Sequence, residues 1–172
     1  MRPHPSSTTE SRVTDAAPSF TFSIESRLRA PAGEVWAHAT SFDGVNRELM
    51  PLARMTGTRS LRRLDQTTVV LGQRLFRSWI LAFGIVPIDY DDLVLVELEP
   101  GRRFLERSTM LSQRLWEHER TVTPIPAGCV LRDRIGFVPR LPLVGHLELP
   151  LFRFVFANRH RQLRRAFGSV QD

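Results

Sequence analysis

Trp116-Glu-His-Glu-Arg120, followed after a Pro/Gly break by Cys129-Val-Leu-Arg-Asp133-Arg-Ile-Gly-Phe137, alternates with period two in both segments. On strands that spacing sends Trp116, His118, Arg120 and Val122 to one face and Glu117, Glu119 and Thr121 to the other. The second run divides the same way. Cys129, Leu131, Asp133, Ile135 and Phe137 share a side, and Arg132 and Arg134 point away. If the apolar sides face inward, an imidazole, a guanidinium and a carboxylate go in with them. Buried charge persists only when it is paired, hydrogen-bonded or used. The pattern predicts a polar-lined pocket in an otherwise apolar fold, with Trp116, His118 and Arg120 on the concave face beside Asp133.

The same alternation extends in both directions. Phe20-Thr-Phe-Ser-Ile-Glu-Ser-Arg-Leu-Arg29 reads as a half-buried first strand. Pro31 with Glu34 three residues on predicts a helix start, and Val35, Trp36, Ala39 and Phe42 continue at helical spacing. A second short helix is expected from Asp43 as N-cap to Leu49, stopped by Pro51. Six strands follow, over about 54–63, 74–83, 89–99, 103–110, 112–123 and 129–138, with gaps short enough for an antiparallel meander. Pro139, Pro142 and Pro150 predict an extended connection. Residues 151–167 then place Phe152, Val155, Phe156, Arg159, Leu163 and Phe167 on one stripe of an amphipathic helix.

Composition fits this α+β reading. The 172 residues are 42% hydrophobic, enough for one domain with its own core. All 24 basic residues are Arg, and the formal charge is +6. No basic run coincides with an aromatic or helical reading motif, so a nucleic-acid partner is not expected. Cys129 is the single cysteine, which excludes an internal disulfide and a cysteine-built zinc site and makes a reducing cytoplasm the simplest compartment. Residues 1–19 lack the apolar segment of a secretory signal and are expected to form a disordered tail before a single domain over 20–172. No window reaches the roughly 18 apolar residues of a membrane span.

The opening Phe-x-Phe-x-Ile strand, the Pro31-Ala-Gly-Glu-Val-Trp36 helix start and the terminal 152–167 helix together resemble the SRPBCC superfamily, whose members include START-like lipid carriers and polyketide cyclases. Within it, the Gly101-x-x-Phe104-x-Glu-x-Ser108, Trp116-x-His118 and Asp133-x-Ile-x-Phe-x-Pro139-Arg140 patterns are similar to those of small bacterial ligand-binding members. The resemblance implies the helix-grip fold: a curved seven-stranded antiparallel sheet wrapped around a long C-terminal helix, with two short helices after the first strand and a cavity between sheet and helix. It leaves the ligand open, since fold does not settle function.

In that frame Phe104, Glu106, Ser108, Trp116, His118, Arg120, Asp133, Phe137, Trp79 and Phe156 are the candidate ligand-binding residues. Arg120 or His118 would take an anionic or carbonyl group while the aromatic rings cover an apolar body. The alternative is a structural ion pair of Arg120 with Asp133 or Glu106. His118 is the one candidate for general-base catalysis. Its lack of a partner at ligand spacing argues against a metal, and His160 is expected in solvent among arginines. Trp79 and Phe83 read first as core, second as pocket wall. The absence of nucleotide-binding and hydrolase motifs argues against a nucleotide cofactor, and none of any kind is expected. Binding or carriage of a small hydrophobic or amphipathic molecule is the leading reading. A cyclase/dehydratase-type enzyme is the second, and a protein-interaction module using the apolar loops 84–87 and 141–145 is the third. Those loops, with the Arg-rich helix, also suit transient contact with a membrane surface.

Overall fold

The computed structural model describes residues 17–57 and 69–170. The chain runs β1 (Phe20–Leu28), α1 (Ala32–Ala39), α2 (Phe42–Leu49), β2 (Ala53–Met55), β3 (Arg74–Ala82), β4 (Val86–Glu99), β5 (Arg103–Met110), β6 (Gln113–Ile125), β7 (Gly128–Pro139) and α3 (Gly145–Phe167). The seven strands form one antiparallel sheet in the order β1-β7-β6-β5-β4-β3-β2, curled around α3. This is the helix-grip arrangement.

Each boundary has a local cause. Short connections of two or three residues join consecutive strands from β3 to β7. Gly128 carries φ 139° at the β6–β7 turn, where an added Cβ would lie 2.0 Å from the Leu28 carbonyl oxygen, so only glycine fits. Breaks in strand register in β3, β4 and β6 add the bends that let the sheet curl. The cap of α2 is Ser41, not Asp43: the Ser41 hydroxyl accepts from Gly44 N at 3.0 Å, and Asp43 lies in the first turn as a favourable negative charge.

Two expectations are corrected at the C-terminal end. The segment after Pro139 is not an extended connection throughout, because Pro142–Val144 forms a 3-10 turn leading directly into α3 at Gly145. Pro150 lies inside α3. The first four N–H groups of a helix have no partner within it, so a proline at the sixth position forfeits a single bond. The strand expected over 54–63 appears as Ala53–Met55, and its part beyond residue 57 lies outside the described residues, as do residues 1–16 of the expected tail.

Inward-facing side chains form two apolar groups. Leu28, Trp36, Leu95, Phe104, Val122, Leu131 and Leu163 build one. Phe22, Met110, Trp116, Ile135, Phe137 and Phe156 build the other. Each apolar side chain removed from water contributes roughly 1.5–3 kcal/mol, and these sets account for the clamping of α3 onto the sheet. On the convex face Arg103 pairs with Glu119 and Glu97, Arg107 with Glu117, and Arg134 with both Glu117 and Glu119. The arginine content is partly spent in this lattice, which leaves Glu117 only 4% exposed although it points outward.

Candidate functional site

The inward face of each long element changes from apolar to polar at one level. On β1 it passes from Phe22 through Ser26 to Leu28, and on β5 from Phe104 through Glu106 and Ser108 to Met110. On β6 His118 and Arg120 separate Trp116 from Val122, and on β7 Asp133 separates Leu131 from Ile135. On α3 Arg159 and His160 separate Phe156 from Leu163. A polar belt therefore crosses the core between the two apolar groups. All its members are buried.

Arg120 is its centre. Register places it opposite Asp133, and its guanidinium donates through Nε to Asp133 Oδ1 and through Nη2 to Oδ2, both at 2.7 Å. It also donates through Nη1 and Nη2 to the two oxygens of Glu48, both at 3.0 Å. Glu48 reaches in from the last turn of α2 and receives Arg159 Nε at 3.0 Å. Asn158 donates to the Glu48 and Met50 carbonyls at 3.1 Å, tying α3 to the end of α2. Burial disfavours charge on all three central groups, but mutual attraction outweighs it. The Arg120 guanidinium is held above its ordinary value, Asp133 well below the carboxylate range, and Glu48 below it with help from Arg159.

An ionised Asp133 can only accept, so both imidazoles that reach it present an N–H: His118 through Nε2 at 3.0 Å and His160 through Nε2 at 3.2 Å. His160 Nδ1 then meets Ser26 Oγ at 2.8 Å. His118 is left with Nδ1 toward Glu106, whose Oε2 is 3.8 Å away. Glu106 in turn accepts from Ser108 Oγ at 2.7 Å.

Beside the belt, between sheet and α3, opens an apolar cleft of about 380 Å³. Its walls include Met55, Ile80, Met110, Trp116, Phe152, Val155 and Phe156, and its polar lining is Asp89, Glu106, His118 and Arg159. Phe83, Ile88, Leu151 and Phe154 line its mouth and are at least half exposed.

Among the candidates read from the sequence, Glu106, Trp116, His118 and Phe156 line the cleft. Arg120 and Asp133 do not: they are wholly buried and engaged with each other, Glu48 and the histidines. The expected reading of a ligand group by Arg120 gives way to the ion pair, with Glu48 rather than Glu106 as the second carboxylate. Phe104, Ser108 and Phe137 pack behind the cleft wall. Trp79 is neither core nor wall. It is 45% exposed on the outer face, edge-on to Tyr90 at 5.7 Å. His160, expected in solvent, is fully buried. Sequence reasoning missed Glu48 and Asp89, although Glu48 follows Gly44 by four residues on the buried face of α2.

One inward carboxyl behaves oppositely to Asp133. Burial, then the charge and hydrogen bond of Glu106, hold Asp91 well above the carboxylate range, and its Oδ1 has no partner. A raised folded value means that the folded chain keeps a proton the unfolded chain gives up, so stability falls as pH rises from about 4 toward that value. Asp91→Asn, whose amide can donate as the protonated acid does, is expected to be more stable than the parent at pH 8 and equal to it below pH 4. Urea melts at the two pH values check this.

The solved structures similar to this one share its fold at low identity. Protein CV1439 from Chromobacterium violaceum aligns at a TM-score of 0.66 and 16% identity, over 87% of this chain and 99% of that one. A START superfamily protein from Mycobacterium smegmatis aligns at 0.59 and 8%, over 86% and 95%. The AHSA1-like protein from Aeromonas hydrophila aligns at 0.56 and 16%, over 86% and 94%. A search of the curated proteins returns no match. The likenesses establish the START-like helix-grip fold seen in the coordinates. At the level of sequence, residues 26–167 match one family model, and the chain belongs to that family, described as Domain of unknown function (DUF8410).

Proposed function

We propose that this chain binds a small hydrophobic or amphipathic molecule in the cleft between the sheet and α3. The observation that carries the reading is the cleft itself: about 380 Å³, walled by apolar side chains of both layers and open at an apolar rim. That volume and chemistry are those of small-molecule sites, which run from about 300 to 1,000 Å³. The exposed rim gives an apolar molecule an entry side and suits transient contact with a membrane surface. Among the described residues no helix is long and apolar enough to cross a membrane. Cys129 is a buried thiol, which suits the cytoplasm.

The test is binding of the neutral fluorophore Nile red to the full chain. Val155 is half-buried on α3 and lines the cleft, so Val155→Trp should fill it and weaken Nile red binding at least tenfold while circular dichroism shows the helix retained. Unchanged Nile red affinity would place the probe elsewhere and remove the support for this reading.

A second reading, an enzyme of the cyclase/dehydratase kind, is favoured by the His118 geometry. Asp133 fixes the Nε2–H form, which leaves Nδ1 free to take a proton beside Glu106. On this reading His118→Gln abolishes turnover of a polyketide-like substrate. Turnover that survives the substitution would rule out His118 as the base.

A further inference from the structure

Among the described residues the arginines of the site are paired with carboxylates, and the two acids of the cleft lining are paired with no arginine. Arg120 is fully buried and bonded to two carboxylates. Arg159 lines the cleft, but its Nε and Nη2 are held by Glu48 at 3.0 and 2.8 Å. The two acids of the same lining are served by neutral donors. Asp89 accepts from Tyr90 N at 2.7 Å, from Ser112 N at 3.3 Å and from the Ser112 hydroxyl. Glu106 accepts from the Ser108 hydroxyl. Among the described residues the basic group nearest Glu106 is His118, whose Nδ1 stays at 3.8 Å, beyond hydrogen-bond reach, and whose Nε2 is committed to Asp133. Behind Glu106 and hydrogen-bonded to it is Asp91, with Oδ1 unpartnered although the residue is only 3% exposed. Two inward carboxyl groups, Asp89 and Glu106, thus face the apolar space, and among the described residues no arginine is paired to either. In such surroundings the attraction between opposite charges is several times stronger than in water.

We propose that the cleft takes an apolar molecule carrying a cationic ammonium head, with the Glu106 carboxylate as its counter-ion and Asp89 adding negative charge at the same wall. The inference rests on the cleft-binding reading and adds the chemistry of the head group. It runs against the charge of the whole chain, +6, which draws anions at long range. A preference for amines must therefore come from the cleft.

The experiment is displacement of Nile red from the full chain at pH 7 by dodecylamine, dodecanol and dodecanoate, which share a tail and differ in the head. Dodecylamine is expected to displace the probe at a concentration at least tenfold below either of the others. In Glu106→Gln, which keeps an acceptor for Ser108 and removes the charge, the ratio of amine to alcohol affinity should fall to within about twofold. Dodecanoate or dodecanol competing as well as the amine overturns the inference and leaves cleft binding standing, as does an amine advantage that survives Glu106→Gln. If the variant fails to fold, the three-head comparison on the parent chain decides alone. Absence of Nile red binding to the parent chain overturns both readings together.

Discussion

Arg120→Met is expected to destabilise the chain by about 3–5 kcal/mol, the range for removing one partner of a buried ion pair. The cost arises from what is left behind. Among the described residues Asp133 retains only the imidazole N–H groups of His118 and His160, and Glu48 retains Arg159 and, at 3.6 Å, His38. Were Arg120 and Asp133 an isolated couple, the double change Arg120→Met with Asp133→Leu would restore stability. The belt predicts otherwise. With Asp133 gone, both histidines lose their acceptor, and Glu48 still lacks Arg120, so the double variant should recover no more than about 1 kcal/mol relative to the single one. Urea melts of the parent, single and double variants at pH 7 measure this, and recovery to parental stability would show the pair to be self-contained.

Acid supplies an independent check. Asp133 and Glu48 have folded values depressed below the ordinary carboxylate range near pH 4, so the stability they contribute is present above that range and lost as pH falls through the folded values. The difference between parent and Arg120→Met should therefore be widest near pH 7 and narrow below pH 4.

The fold and half of this belt were legible in the sequence for the same reason. Period-two alternation fixes which side chains share a face, so Arg120 and Asp133 could be placed together before any coordinate, and register then set them directly opposite. What alternation cannot show is what approaches from another layer. Glu48 comes from α2 and His160 from α3, and both meet Asp133 or Arg120 only because the sheet curls. His160 did leave a trace: it lies four residues after Phe156 and three before Leu163, inside the buried stripe. Its arginine neighbours obscured that trace. Trp79 misled in the other direction, because an apolar strand near the sheet edge carries large side chains on both faces, and its period does not say which face is covered.

The helix grip itself depends on Phe156. Its ring is 3% exposed and meets Phe22 at 5.8 Å, His118 at 5.4 Å and Trp116 at 6.3 Å between centroids, with the Arg159 guanidinium 4.8 Å above it. Phe156→Ala is expected to cost about 3–5 kcal/mol, the range for a large aromatic truncated in a core. Part of that cost follows from position. Phe156 is also a wall of the cleft, so the space vacated joins an existing void instead of being closed by neighbours, and the Phe22 ring loses its edge-on contact with the helix while Trp116 keeps only Phe152 at 5.1 Å. Phe156→Leu keeps most of the apolar volume and should cost less than half as much. Equilibrium urea unfolding with a fitted slope separates the two outcomes. A loss below about 1 kcal/mol for the alanine variant would mean that α3 is held by the polar belt alone, through Asn158, Arg159 and His160, and that the apolar contact between helix and sheet is not what closes the fold.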